Sequence, residues 1–252
     1  MYKIPASTLF MGKNLVYVPE CHSTNTLASD LCQRTSPVEG TIVITDNQTM
    51  GRGQRGNVWH SDAFQNLTFS LILKPSFLRP VDQFNLTMAI SLAVCDFLIH
   101  RDCDEVKIKW PNDILIKNKK VCGILIENTL SGDQLQCSVI GIGLNVNQDS
   151  FLVESASSMK LLTGRRFNLS DECSTLCGFV ERRYLQLKAG GLAALKSDYL
   201  NSLYGLGVMR RFIFPSCEMN GVIEGVNQHG KLLVAIEGEV VAYDLKEIQF
   251  AR

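Results

Sequence analysis

Gly51-Arg52-Gly53-Gln54-Arg55-Gly56-Asn57-Val58-Trp59 packs three glycines, two arginines, two amides and a tryptophan into nine residues. Glycine lets backbone N–H groups approach a ligand and reach positive φ. Arginine clamps phosphate or carboxylate oxygens in a fixed fork, and a tryptophan closing the loop can cover an apolar or aromatic ligand. The stretch reads as an anion-binding loop able to order over its ligand; the plainer reading is a mobile, charged surface loop. The spacing also fits G-x-G-x-x-G, so the flanking sequence decides the fold. A dinucleotide-binding unit needs a strand before the glycines and a helix opening directly from them. The strand is present as Thr41-Ile42-Val43-Ile44-Thr45, but a polar run follows Trp59 up to Asn66. Then comes Leu67-Thr68-Phe69-Ser70-Leu71-Ile72-Leu73, which alternates like a half-buried strand. A Rossmann unit is rejected on that ground, and no G-x-x-x-x-G-K-[ST] occurs.

Toward the N-terminus, residues 14–18 read as a strand. Cys21-His22-Ser23-Thr24-Asn25-Thr26 then precedes apolar Leu27, Ala28, Leu31 and Cys32. Ser23 or Thr24 suits a helix N-cap; the alternative is that these hydroxyls and the helix-start N–H groups hold a ligand's polar head. Beyond the loop, residues 81–99 form a long core helix with Phe84, Met88, Leu92 and Cys95 in one stripe. Lys109-Trp110-Pro111-Asn112-Asp113 turns between two short strands, 106–109 and 114–116. Lys120 stands where another strand begins, either as a solvated turn charge or as a site cation, and Gly123 permits close approach within that strand. A hairpin turns at Ser131-Gly132-Asp133, and its return strand ends Gly141-Ile142-Gly143-Leu144-Asn145-Val146-Asn147, where the glycines imply close packing or ligand contact. A short helix over 158–162 follows, then a helix capped by Ser170 and broken at Gly190-Gly191, then another over 192–203. After Tyr204, Gly205-Leu206-Gly207 reads as a linker to short alternating strands, a small β-barrel over about 45 residues.

The 252 residues allow one good-sized domain and a small one. A net charge of zero argues against a whole-chain nucleic-acid binder. No apolar run reads as membrane-spanning and no signal-peptide pattern is present. The nine cysteines are odd in number, scattered and never spaced C-x-x-C. They read as thiols in a reducing, cytoplasmic compartment rather than as disulfides or metal ligands.

Ser23-Thr24-Asn25, the 51–59 loop, the K-W-P-N-D turn, Lys120-Val121-Cys122-Gly123-Ile124-Leu125-Ile126-Glu127 and the 141–147 segment, in this order, resemble the biotin–protein ligase family. The resemblance implies an α+β catalytic domain over 1–204, a mixed β-sheet with helices like that of class II aminoacyl-tRNA synthetases. It implies an SH3-like C-terminal domain over 205–252. It implies Mg-ATP-dependent activation of biotin to biotinyl-5′-AMP, then transfer to a lysine of a biotin carboxyl carrier protein or a similar domain. By resemblance, Ser23, Thr24, Asn25 and Gln48 bind the biotin head, with Gly123 admitting biotin to the strand backbone. Arg52, Gly53 and Lys120 meet the biotin carboxylate and the phosphate, Arg52 and Lys120 being the catalytic pair. Trp59 covers the ligands, Asn112 and Asp113 furnish the nucleotide and Mg²⁺ region, and Asn145 contacts adenine. Gln54 stands where many members carry arginine; an amide bonds a phosphate but does not neutralise it, which shifts weight onto Arg52, Arg55 and Lys120.

Some members carry an N-terminal helix-turn-helix; Ser23 lies too near the start for one, so no operator binding is expected. Three other readings compete. Lipoate–protein ligase has related chemistry but a different motif set. A non-catalytic biotin-binding module is disfavoured by Arg52, Lys120, Asn112 and Asp113 occurring together. A nucleic-acid-binding C-terminal barrel is disfavoured because Arg210 and Arg211 are outnumbered by Glu218, Glu224, Glu237 and Glu239. A free sheet edge leaves a homodimer open.

Overall fold

The computed structural model describes residues 2–215 and 217–251, without the side chain of Arg55. The chain runs through β1 (Leu15–Cys21), α1 (Thr24–Thr35), β2 (Thr41–Gln48), β3 (Gly51–Arg52), β4 (Val58–Trp59), β5 (Leu67–Leu73) and α2 (Phe84–His100). It continues through β6 (Val106–Lys109), β7 (Asp113–Ile116), β8 (Lys119–Ser131), β9 (Gln134–Leu144), α3 (Met159–Thr163), α4 (Leu169–Lys188) and α5 (Leu192–Ser202). The last elements are β10 (Met209–Ile213), β11 (Glu218–Val226), β12 (Leu232–Ile236), β13 (Glu239–Tyr243) and β14 (Gln249–Phe250).

Seven strands form a mixed sheet in the order β1-β2-β5-β9-β8-β7-β6. β1 and β2 run parallel and the other neighbours antiparallel. The register sorts the side chains into two faces. Ile42, Ile44, Leu67, Phe69, Leu71, Ile140, Ile142 and Ile124 fall on one, in the main core with residues of α2 and α4. The other face carries Val43, Ile72, Cys137 and Val139, which pack with Ala28 of α1, and then Thr68, Ser70, Gly141, Gly143 and Gly123. α1 covers only part of this second face. The remainder, made of small residues, is the floor of a cavity.

Three expectations need correction. β5 is buried along its whole length rather than half-buried, because α1 and the cavity walls cover its second face. The helix from 80 to 100 is long and apolar enough to cross a membrane by length and composition, which the sequence reading missed. Two-thirds of its most apolar stretch is buried inside the fold, so the core accounts for that apolarity. The helix expected to be capped by Ser170 is capped by Asn168, whose side chain accepts from the N–H groups of Ser170 and Asp171.

The C-terminal strands form a five-stranded antiparallel sheet ordered β13-β12-β11-β10-β14. Among the described residues no ladder joins β13 to β14, so the hydrogen bonding does not close a barrel. Phe212, Ile223, Leu232, Val234 and Ile248 belong to the same apolar core as the large sheet. Trp110 Nε1 donates to the Gly230 carbonyl at 2.8 Å, which pins this sheet to the turn after β6.

Candidate functional site

A cavity of about 760 Å³ opens over the small-residue face. Its walls are the N-terminus of α1, the end of β2, the β3–β4 ribbon, the β6–β7 turn and the 245–250 segment. It brings together Ser23, Thr24, Asn25, Gln48, Arg52, Gly53, Gln54, Trp59, Asn112, Asp113, Lys120 and Gly123.

One end is a polar cluster at the start of α1. Ser23 is the N-cap by backbone conformation, but its side chain makes no capping bond, so the simple capping reading fails and the buried side chain lines the cavity. Gln48 Oε1 accepts from the Thr24 N–H at 2.9 Å. Ser70 Oγ lies 2.8 Å from Thr24 Oγ1 and 2.6 Å from Asn25 Oδ1. Asn25 Nδ2 donates to Glu127 Oε2 at 2.9 Å and to the Leu125 carbonyl at 3.3 Å. Buried amides and hydroxyls fixed in this way form a rigid pattern of donors and acceptors, suited to a polar ring.

The floor is glycine for a steric reason. A Cβ on Gly141 would lie 2.4 Å from Asn25 Oδ1, and one on Gly143 would lie 2.4 Å from Trp59 Cε2. The Trp59 indole thus lies over Gly143 and Gly123, with its Nε1 buried and without a partner. The loop carrying it is a ribbon: Gly51 pairs with Trp59, Arg52 pairs with Val58, and the Gly53 N–H donates to the Asn57 carbonyl at 2.7 Å. Gln54 Oε1 is also buried and unpartnered.

The other end is cationic. Lining side chains there include Lys109, Lys120 and Lys246 against the single carboxylate of Asp113, while Arg52 lines the cavity nearer the head cluster, its Nη2 donating to Glu127 Oε2 at 2.7 Å. Lys120 Nζ pairs with Asp113 Oδ1 at 2.6 Å and sits 5.5 Å from the centre of the Trp59 ring. Burial pushes the Lys109 ammonium below its ordinary lysine value; Asp113 opposes this, while Lys120 and Arg210 add to it. Asn112 braces the turn, its Nδ2 donating to the Ile124 carbonyl at 2.6 Å while its own carbonyl accepts from the Ile124 N–H at 3.0 Å. An anion entering here meets several positive groups in a partly desolvated space, where they act strongly. Among the described residues no group of three or more His, Cys, Asp or Glu side chains is gathered as a metal site would need. Asp113, expected near Mg²⁺, is engaged by Lys120.

One expected site residue does not join this arrangement. Asn145 lies outside the cavity lining. Its amide donates to the Ser157 carbonyl at 3.0 Å, and its Oδ1 is buried without a partner. The Arg55 side chain lies outside the described residues. Sequence reasoning passed over Ser70, Lys109, Glu127 and Lys246. Lys109 and Glu127 stand inside quoted motifs, and a serine in an apolar strand was a signal for Ser70. Nothing local marked Lys246.

Fold and cavity define an α+β protein whose cavity combines a polar hydrogen-bonding cluster with cationic side chains. Residues 17–145 match the Biotin/lipoate A/B protein ligase family, and the chain belongs to that family. The bifunctional ligase/repressor BirA of Bacillus subtilis is 33% identical over 233 residues, 90% of this chain and 71% of that protein. A biotin–[acetyl-CoA-carboxylase] ligase of Mycobacterium tuberculosis is 28% identical over 249 residues, 95% of this chain and 90% of that protein. Among solved structures, the biotin protein ligase of Aquifex aeolicus in complex with biotin and ATP superposes with a TM-score of 0.79 at 26% identity, covering 95% of this chain and 99% of that one.

Proposed function

We propose that this protein is a biotin–protein ligase. A biotin carboxylate oxygen attacks the α-phosphorus of ATP, pyrophosphate leaves, and biotinyl-5′-AMP forms. A lysine amine of a biotin-accepting carboxylase subunit then attacks the acyl carbon, and AMP leaves. The finer assignment of that acceptor is a biotin carboxyl carrier domain. Mg²⁺ enters as the counter-ion of ATP, since magnesium commonly arrives on substrate phosphates.

The observation carrying this reading is the cavity's polarity: a hydrogen-bonding head site at α1 with Arg52 beside it, and a cationic end at Lys109 and Lys120. Attack of one anion on another has an electrostatic barrier, which fixed cations and orientation lower. Lys120 meets the reacting oxygens in this reading, which its position between Asp113 and the Trp59 face supports. Arg52 holds the carboxylate and then the adenylate phosphate. The family also includes lipoate ligases. Thr24, Asn25, Ser70 and Gln48 favour biotin, because a ureido ring can satisfy their donors and acceptors and a dithiolane ring cannot.

Exchange of labelled pyrophosphate into ATP tests the proposal. Exchange that depends on biotin and not on lipoate is expected. Lys120→Ala should slow it by about 100-fold or more, the cost of one positioned transition-state donor. Exchange with lipoate alone would transfer the protein to the sister activity. No exchange with either acid would leave a binding protein without catalysis.

A further inference from the structure

Glu127 does not line the cavity, yet it touches two side chains that do. Its Oε2 accepts from Arg52 Nη2 at 2.7 Å and from Asn25 Nδ2 at 2.9 Å. Asn25 belongs to the polar head cluster and Arg52 to the β3–β4 ribbon, 27 residues later in the chain. The same oxygen therefore ties the ribbon to the head cluster, with Arg52 Nη2 and Asn25 Nδ2 no more than about 5.6 Å apart. The Arg52–Glu127 pair is half exposed, with side chains 45% and 38% accessible, so it adds little to fold stability. Its effect is on direction. Arginine's long side chain is flexible, and Glu127 engages it through Nη2, at one side of a planar fork with five donors. An Arg52 held this way keeps its position while other donors of the fork meet an incoming anion.

We propose that Glu127 is a positioning residue for biotin binding, fixing the orientation of Asn25 in the head cluster and of Arg52 on the ribbon beside it. This rests on the ligase reading above. Glu127 sits on the strand that supplies Lys120 and Gly123, seven and four residues earlier. It is paired across β9 with Val139 of the cluster beneath α1. The rigid sheet thus sets where the shared carboxylate stands.

Calorimetric titration of biotin, with steady-state KM values for biotin and ATP, tests this on the wild type, Glu127→Ala, Glu127→Gln, Arg52→Ala and the double variant Arg52→Ala/Glu127→Ala. Glu127→Ala is expected to weaken biotin binding about 10-fold, as for loss of a charged hydrogen-bond partner, with KM for ATP changed less than about twofold and the melting temperature nearly kept. Glu127→Gln retains an acceptor oxygen and should recover binding to within about 3-fold of wild type. In the Arg52→Ala background, Glu127→Ala should cost clearly less than it does alone, because residues acting through one another are not additive. Unchanged or tighter biotin binding by Glu127→Ala, additive losses in the double variant, or equal rises in both KM values would overturn the assignment. A wild type that neither binds biotin nor exchanges pyrophosphate removes the ligase reading itself, and this inference with it.

Discussion

Gly141→Ala probes the head site with a single methyl group. An alanine Cβ at this position would lie 2.4 Å from Asn25 Oδ1, 3.0 Å from its Cγ and 3.2 Å from its Nδ2. Ordinary van der Waals contact begins near 3.4 Å, so the Asn25 amide must retreat by about 1 Å. Ser70 Oγ now lies 2.6 Å from Asn25 Oδ1. At about 3.6 Å that contact is no longer a hydrogen bond, and the Asn25 bond to Glu127 at 2.9 Å is misaligned by the same shift. Losing one or two such bonds costs about 1–3 kcal/mol, or about 10- to 100-fold in the Kd for biotin. Calorimetric titration reads this directly, and ATP affinity serves as the internal control because no nucleotide-end residue is touched. Adding Asn25→Ala removes the obstacle, so Gly141→Ala should cost almost nothing further in that background. A Gly141→Ala protein with biotin affinity within threefold of wild type, or a full second loss in the double variant, would refute the argument that glycine is required here by Asn25.

The remaining predictions concern other walls of the cavity and the scaffold beneath it. Both tryptophans of the chain, Trp59 and Trp110, line the cavity, so intrinsic fluorescence should change on adding biotin; Trp59→Phe should abolish most of that change, and an unaltered response would place the ligand elsewhere. Burial lowers the Lys109 pKa below its ordinary 10.5, so the folded protein binds this proton less tightly than the unfolded chain does. The cationic form then costs stability at neutral pH, and the cost fades as pH rises through the folded pKa toward 10.5. Lys109→Met should therefore melt higher than wild type at pH 7, by a margin that shrinks at pH 9.5; a margin independent of pH would count against a burial cost. Glu181 is buried and accepts three backbone N–H groups, from Leu9, Phe10 and Met11, at 2.7, 2.8 and 2.9 Å. Glu181→Ala leaves those donors unpaired and should lower unfolding free energy by about 3 kcal/mol; a loss under about 1 kcal/mol in urea unfolding would show that water replaces the carboxylate.

What the sequence disclosed was mostly local. The absence of a helix after Trp59 told against a nucleotide-fold crossover, and β5 follows the loop as expected. The turn at Trp110-Pro111-Asn112 and the hairpin at Gly132-Asp133 lie where turn-forming residues put them. Gly141 and Gly143 were marked for close approach, but their partners, Asn25 and Trp59, lie more than 80 residues away in the chain. Ser70, Glu127 and Lys246 acquire their places only through tertiary packing. Ser70 sits opposite Gly141 in the register, Glu127 reaches Arg52 across 75 positions, and Lys246 arrives with a different sheet. The capping error at Ser170 has a different cause: Asn168 and Ser170 are both good caps, and the choice fell to the residue whose side chain reached two N–H groups.

Lys120 shows most clearly why strand periodicity alone cannot build this site. In an unbroken strand, side chains two apart share a face. Lys120 would then point with Cys122 and Ile124 into the core, and Gly123 would face the cavity without it. The register against β7 slips by one residue here: Ile114 pairs with Cys122, but Leu115 pairs with Lys120. That bulge restores Lys120 to the face of Gly123 and Asp113. It also frees the Lys120 backbone to bond the 155–157 segment, with its N–H donating to the Ser155 carbonyl at 2.7 Å and its carbonyl accepting from the Ser157 N–H at 2.9 Å. The extra residue is buried Val121, which is apolar and leaves no trace in a period-two pattern. The cation is therefore held by the sheet on one side and by a loop on the other, and its Nζ meets Asp113 at 2.6 Å. A site that must neutralise two approaching anions needs its charge fixed before they arrive, and a bulge braced on both edges fixes it more firmly than a regular strand end would.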